Sequence, residues 1–570
     1  MSKLEIPDEL KYLRGLRYEP AMKIDYQNVQ LEDILPGLFY LIRLGRRRGK
    51  GGWGERTAKQ VAAELAGRAD KFEGFDSEKG RALLEEWLKA SVLRLNERKN
   101  SDKVMSIRPL HFMTYRVDLP SNWVHLRSVP EFLAAILQHD PSAEPLKTGG
   151  DGRPEAFALQ SPNNLFWQAF GAGMTNREGQ TSAESDTYEE SRELDIESLL
   201  AVRVVEGLRP PQEVTAGGAG VISGFEPLCP HQARIFREDF SRFLRAYSSA
   251  NVPLRALGDY VLCLMALHLP VYSLCHMYAS NYLYETGEWV TDKHTESGKR
   301  IWELGIYPDL TGGRVRKSRE LAQQSYATHY GMMMRQLRAM IGFRLLKHYL
   351  TNDIRELRQN RLKGIELLKT LARGRQPSSD DIYLAAQGSA RPALSTLESA
   401  QPGGEWPEEL TGIINDASLK PFDKLVEILA TTQDDLRAQM TKFITSHTRR
   451  NMESGLLAGS PGRPDENHYT LGIQLLETLV QLLILKPCDP PVSRPLDIYD
   501  FVRLLKERYS IWVDEPPPHL DQSHEARKAA QANFDVLKEK LRQLGFFRAV
   551  TDARRMQRLR PRYIPAGDLT

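Results

Sequence analysis

The chain has 570 residues and a mass of 64.8 kDa, enough for about four domains. Apolar residues make up 41% and charged residues 26%, which excludes a wholly disordered chain, while scattered glycine and only 4 Cys exclude a collagen or a disulfide scaffold. Lys+Arg is 77 and Asp+Glu is 74, so the net charge of +3 points to no partner and only local charge can do so.

The opening residues, MSKLEIPDELKYLRG, are polar, so no secretory signal is expected there. Leu31–Leu44 has helical apolar spacing, with Pro36 near its start. It runs into a basic, glycine-rich stretch that includes Arg46, Arg47, Arg48 and Lys50. Thr57–Leu65 places Ala58, Val61, Ala62 and Leu65 on one helical face. Asp76-Ser77 is a helix cap for Glu78–Leu95. Ser106–Leu119 alternates apolar and polar residues and predicts a strand. Ser128–Gln138 reads as a short capped helix.

The composition then shifts. His139–Pro154 is rich in Pro, Gly and Asp, and Glu178–Glu197 holds eight acidic residues against one basic residue. A loop-rich acidic insertion is expected. From Pro230 to Leu371 the pattern is helical, and Asn251–Tyr284 is the most apolar part of the chain. Its run Tyr260–Cys275, interrupted by Pro270, is shorter than the roughly 20 residues of a membrane span, so a buried helix is expected and no membrane. Ser318–Leu350 carries a Met and aromatic stripe at helical spacing, which reads as core. Arg373–Pro407 is rich in Gly, Pro, Ser and Gln and reads as a linker. Helices resume at Pro421–Ala430, Gln433–Ser446 and Tyr469–Leu485.

The C-terminus has the order of a winged helix. Pro495–Tyr509 is a helix, Ser523–Leu544 is a longer one ended by Gly545, and Phe546–Val550 and Arg555–Tyr563 read as a strand pair. The fold class expected is mainly α, in a multi-domain α+β chain. Its parts are an N-terminal mixed α/β domain (1–140), the insertion (141–228), a central helical domain (229–372), the linker (373–408), a helical subdomain (409–488) and the winged-helix domain (489–570).

Catalytic motifs are sparse. Gly49–Thr57 has P-loop glycine spacing, but Glu55 and Arg56 replace the Lys and Ser/Thr that hold phosphate and magnesium. His524-Glu525 begins like a zinc-protease motif, but Lys528 stands where the second His is needed. Cys229, Cys263, Cys275 and Cys488 form no CxxC pair, so reduced structural thiols and a cytoplasmic location are expected. Glu97-Arg98-Lys99 matches a nuclease ExK triplet, but it falls at a helix end without a partner acid. No catalytic residue, metal ligand or cofactor is assigned.

Local charge carries the remaining signal. Leu541–Thr570 holds seven Arg against two Asp, a local +5 of the kind that neutralises DNA phosphates. The expected contacts to double-stranded DNA are Arg554, Arg555, Arg558, Arg560 and Arg562, with Arg527, Lys528 and Lys538 on the exposed face of the preceding helix. Two further clusters are candidate anion sites: Arg46, Arg47, Arg48 and Lys50, and Arg314, Arg316 and Lys317 after Gly312-Gly313. Winged helices also serve as protein docking modules.

Pro308–Ala322, Arg449-Arg450-Asn451, Arg508–Trp512 and Thr551-Asp552-Ala553 together resemble segments of bacterial anti-phage defence components. The resemblance is to accessory proteins of the methylation-associated defence system and of phosphorothioation-dependent restriction systems, and spans roughly residues 230–570. It implies a cytoplasmic component that works beside other subunits, such as a modification enzyme and separate nuclease or ATPase subunits. Three functions follow in order: a non-catalytic DNA-binding or adaptor subunit, a scaffold for partner proteins, and a divergent metal-dependent nuclease.

Overall fold

The computed structural model describes residues 4–14, 31–45, 56–68, 70, 72–96, 101–117, 129–138, 156–175, 187–189, 194–208, 227–248, 252–291, 294–295, 304–377, 380–460, 462–546 and 558–568. The described residues are mainly helical. Their strands form five short two-stranded antiparallel ladders.

In the N-terminal part, α1 (Leu31–Leu44) is buried along most of its length. Helix α2 (Ala58–Ala66) starts with a capping box, in which Thr57 and Gln60 bond each other's backbone N–H groups. Ser77 caps α3 (Glu78–Ser91) by accepting from the Gly80 N–H. The helix expected over Glu78–Leu95 stops at Ser91, because Leu93–Asn96 (β1) pairs with Ser101–Ile107 (β2). The strand expected over Ser106–Leu119 is likewise corrected: β2 ends at Ile107, and Phe112–Arg116 is a 3-10 turn. His111 caps that turn, and its buried residues Phe112 and Tyr115 mimic alternation. Helix α4 (Val129–Gln138) is followed by α5 (Leu165–Phe170), β3 (Met174–Thr175), β4 (Thr187–Tyr188) and α6 (Ile196–Gly207). The last four fall in the stretch expected as a loop-rich insertion. Asp195, one of its acidic residues, is the N-cap of α6.

Two long helices organise the centre. After α7 (Pro230–Tyr247), α8 (Leu254–Thr286) runs unbroken through Pro270, and Gly287 ends it in the left-handed conformation at φ 75°. Helix α8 is long and apolar enough to cross a membrane by composition, but its most apolar window is fully buried inside the protein. The short pair β5 (Val290–Thr291) and β6 (His294–Thr295) precedes α9 (Arg316–Leu350). Helices α8 and α9 pack side by side, pinned by buried polar bonds. Ser280 Oγ lies 2.6 Å from Gln336 Oε1, and Asn281 donates to the Met332 carbonyl at 3.0 Å.

Short helices α10 (Arg355–Arg358) and α11 (Gly364–Ala372) follow. The stretch expected as a linker instead holds α12 (Asp380–Ser399), a 20-residue helix. Ala386, Ala390, Ala393 and Leu397 form its buried stripe, and small side chains at three of those four places hide the periodicity. Helices α13 (Glu408–Asn415), α14 (Pro421–Thr432) and α15 (Asp434–His447) lead to β7 (Leu457–Ala458), β8 (His468–Tyr469) and the buried α16 (Ile473–Leu483).

At the C-terminus, β9 (Leu496–Asp497) opens directly into α17 (Ile498–Tyr509), then come α18 (His524–Gln543) and β10 (Arg558–Leu559). β10 pairs with β9. One hydrophobic core extends from Leu10 to Leu559. A second lies among α2, α3, the β1–β2 hairpin and α6, and a third joins Tyr307, Leu321 and Ala322 to Ala526 and Ala530.

Candidate nucleic-acid interface

The C-terminal unit is built by two caps and one apolar stripe. Asp497 accepts from the Asp500 N–H to start α17, and Ser523 accepts from the Ala526 N–H to start α18. Ala526, Ala530, Phe534, Leu537 and Leu541 recur at three- and four-residue intervals, so α18 buries one face. Asn533 anchors that face from within. It donates to the Pro308 and Val513 carbonyls and accepts from the Leu310 N–H at 2.7 Å.

Burial of that stripe turns Arg527 and Lys528 to solvent. Arg558 and Arg560 are also exposed. None of these four has an ion-pair partner within 4.0 Å among the described residues. Lys538 differs: it pairs with Asp535 at 2.6 Å and lies over the Phe534 ring. Arg562 differs too, because its guanidinium bridges to Glu477 of α16 at 2.7 Å and its N–H donates to Gln481. Arg554 and Arg555 lie outside the described residues, as do Arg46, Arg47, Arg48 and Lys50.

The four open cations fall into two groups rather than one. Arg527 and Lys528 sit in the first turn of α18, while Arg560 bonds back to Phe546 just beyond its end. A helix of that length separates them by about 25 Å. Between them, Lys538–Asp535 and Arg542–Glu539 pairs balance the exposed face.

The second anion candidate already contains its anion. Asp309, 2% exposed, accepts from the Thr311 N–H at 3.0 Å, the Gly313 N–H at 2.9 Å and the Thr311 hydroxyl at 2.7 Å. Ser318 Oγ and Arg319 Nε complete its shell. Burial raises the Asp309 pKa, but the bonds from Thr311 and Arg319 outweigh it and leave the carboxyl below its ordinary value. The surrounding cations are also engaged. Arg314 donates to the Thr311 carbonyl, Arg316 pairs with Glu320, and Lys317 pairs with Asp521 at 2.7 Å. The Thr311 and Gly313 amides of the Gly-rich turn that opens α9 thus bind an internal carboxylate, and Lys317 ties the start of α9 to Asp521, just before α18.

Two polar features escaped the sequence. Asp239 of α7, fully buried, meets His268 of α8 at 3.3 Å, the Tyr509 hydroxyl at 2.6 Å and the Arg508 guanidinium. Burial disfavours the Asp239 charge, yet these three partners hold its pKa below the ordinary carboxylate value. The cluster ties α17 to the central helices. Separately, Arg94 and Arg108, from the β1–β2 pair, line one cavity with Arg255 and Arg449, which come from two distant segments. Only a fold brings them together, so no local pattern could have marked them.

No curated protein matches the chain. A family model described as methylation-associated defense system protein MAD7 matches residues 11–563. That match covers nearly the whole chain, and the chain belongs to this family: it is a component of a methylation-associated defence system.

Proposed function

We propose that this member of the methylation-associated defense system protein MAD7 family is a non-catalytic adaptor subunit that acts in the cytoplasm and contacts double-stranded DNA through a C-terminal winged-helix unit. Membership of a multi-gene system supplies other subunits as its partners. The observation that carries the DNA contact is the set Arg527, Lys528, Arg558 and Arg560, exposed and without an ion-pair partner among the described residues. Unpaired arginine is suited to bidentate phosphate contact. The helix–helix order of α17 and α18, with β10 paired to the strand before α17, supports the winged-helix reading. Arg554 and Arg555 extend the same arginine run in the sequence.

Fluorescence anisotropy with a duplex oligonucleotide at several salt concentrations tests the proposal. Each neutralised phosphate contributes about 0.9 to the slope of log K against log salt. Arg558→Ala combined with Arg560→Ala is expected to weaken binding and flatten that slope by about 2. Absence of binding at low salt would remove the DNA contact. A second role, protein docking, draws on Tyr499, which is 63% exposed on α17. That role predicts co-purification with neighbouring subunits that Tyr499→Ser abolishes and the arginine changes do not. Cleavage of the duplex on addition of magnesium would instead favour a nuclease.

A further inference from the structure

Arg94 lies on β1, Arg108 just after β2, Arg255 in the first turn of α8, and Arg449 after α15. With Glu32 of α1 and Asp259 of α8 they line a cavity of about 280 Å³. Arg255 and Asp259 are exposed and form the rim, whereas the Arg449 side chain is only 12% exposed.

Ion pairing inside the cavity is unequal. Glu32 takes Arg449 at 2.7 Å and Arg94 at 3.8 Å, and Arg255 turns to Glu197 at 2.8 Å. Arg108, half-buried, has no carboxylate within 4.0 Å among the described residues. Its pKa is lowered by burial first and by the neighbouring Arg255 second. The buried Nε of Arg449 likewise has no acceptor among the described residues. Arg449 holds a left-handed backbone at φ 48°, a conformation costly for a non-glycine residue, and the Leu456–Thr448 and Met452–Arg449 backbone bonds lock its turn. An internal staple between α1, β1 and this turn accounts for Glu32, Arg94 and Arg449. It leaves Arg108 unexplained.

Four arginines against two carboxylates leave a formal +2 in the lining, and Glu197, beside Arg255 at the mouth, reduces it to about +1. A phosphate monoester carries about −1.5 to −2 near neutral pH, the opposite sign to that excess. A volume of about 280 Å³ lies near the small end of ligand pockets, and admits a mononucleotide rather than a strand. We propose that this cavity binds a phosphate monoester of mononucleotide size, with Arg108 and Arg449 on the phosphate and Arg255 at the mouth. The proposal is independent of DNA contact by the C-terminal unit.

Isothermal titration of the full chain with inorganic phosphate, AMP and adenosine tests it. Phosphate and AMP are expected to bind and adenosine is not. Arg108→Ala should weaken AMP binding about tenfold or more, the loss typical of a charge-assisted hydrogen bond. Asp259→Asn removes a negative charge from the rim and should tighten binding by about threefold, a gain that a purely structural role for the cluster does not produce. A thermal melt of each variant checks folding; if Arg108→Ala fails to fold, Arg108→Lys and Asp259→Asn decide. No binding of phosphate or AMP to the folded wild type overturns the proposal. So does AMP binding that survives loss of Arg108, or adenosine binding as well as AMP. Phosphate binding with AMP excluded would overturn the mononucleotide size.

Discussion

Histidines 111 and 329 are each held in one neutral form. His111 Nδ1 accepts from the Met113 N–H at 3.1 Å, while Nε2 lies 2.9 Å from the Ala172 carbonyl and donates to it. His329 Nε2 donates to the Leu304 carbonyl at 2.9 Å, and Nδ1 accepts from the Tyr469 hydroxyl at 2.7 Å. A proton on either Nδ1 would break an accepted bond as well as bury a charge. Burial accordingly pushes both pKa values down to about 4. The unfolded chain takes up protons at these sites below about pH 6.5 while the folded chain does not, so stability falls as pH drops from 6.5 toward 4. Each histidine is expected to remove about 2 kcal/mol between neutral pH and pH 5. Urea unfolding at pH 7.5 and 5.0 measures this, above the range in which ordinary carboxylates titrate. An unchanged unfolding free energy over that interval would contradict it. The same scale shows why the Asp309 turn was half legible. Gly312-Gly313 before a helix marks an anion-binding turn in the sequence, but only the fold shows that the anion lies three residues upstream.

Elements with large apolar side chains at regular spacing were legible, as α7, α9 and α14 show; the helix expected from Tyr469 begins only at Ile473, because Tyr469 pairs in β8. Those whose stripe is alanine, or whose apolar residues belong to two consecutive elements, were not. Helix α12 is the first kind, and the α3–β1 boundary is the second. Glycine carries information of a similar sort inside α9. At Gly342 an added Cβ would sit 2.1 Å from the Tyr284 hydroxyl of α8, so this glycine sets how closely the two long helices approach. At Gly331, exposed in the same helix, an added Cβ meets nothing within 4 Å. Alanine is a better helix former than glycine, so Gly331→Ala should stabilise by about 0.5–1 kcal/mol. Gly342→Ala carries the same propensity gain but overpacks the buried Tyr284 ring, and a net loss of about 1–3 kcal/mol is expected. Parallel denaturant titrations of the two variants give opposite signs if helix contact governs Gly342, and equal signs if propensity alone does.

At the scale of the molecule, composition shifts mark off residues 489–570 as a separate unit, but the bonds across that boundary argue for a shared one. Ile306 N–H donates to the Ser510 carbonyl and Trp512 N–H to the Ile306 carbonyl, both at 2.8 Å, which makes a parallel bridge to the central region. Asn533 joins Pro308 and Leu310 to α18. Above all, the charge of buried Asp239 is stabilised from across the boundary by Arg508 and Tyr509. A chain ending at 488 strips those two partners from Asp239 and opens its site to water. It also uncovers the apolar surface that α17 and α18 bury. Total stability of a domain is only about 5–15 kcal/mol, so neither residues 1–488 nor residues 489–570 alone are expected to give a cooperative melt, whereas the full chain does. Asp239→Asn in the full chain separates the two causes: it removes the charge while keeping the interface, and should lower the melting temperature without abolishing cooperativity. A sharp independent transition from residues 489–570 would instead show a self-sufficient module, with the Asp239 cluster a tether rather than part of its foundation.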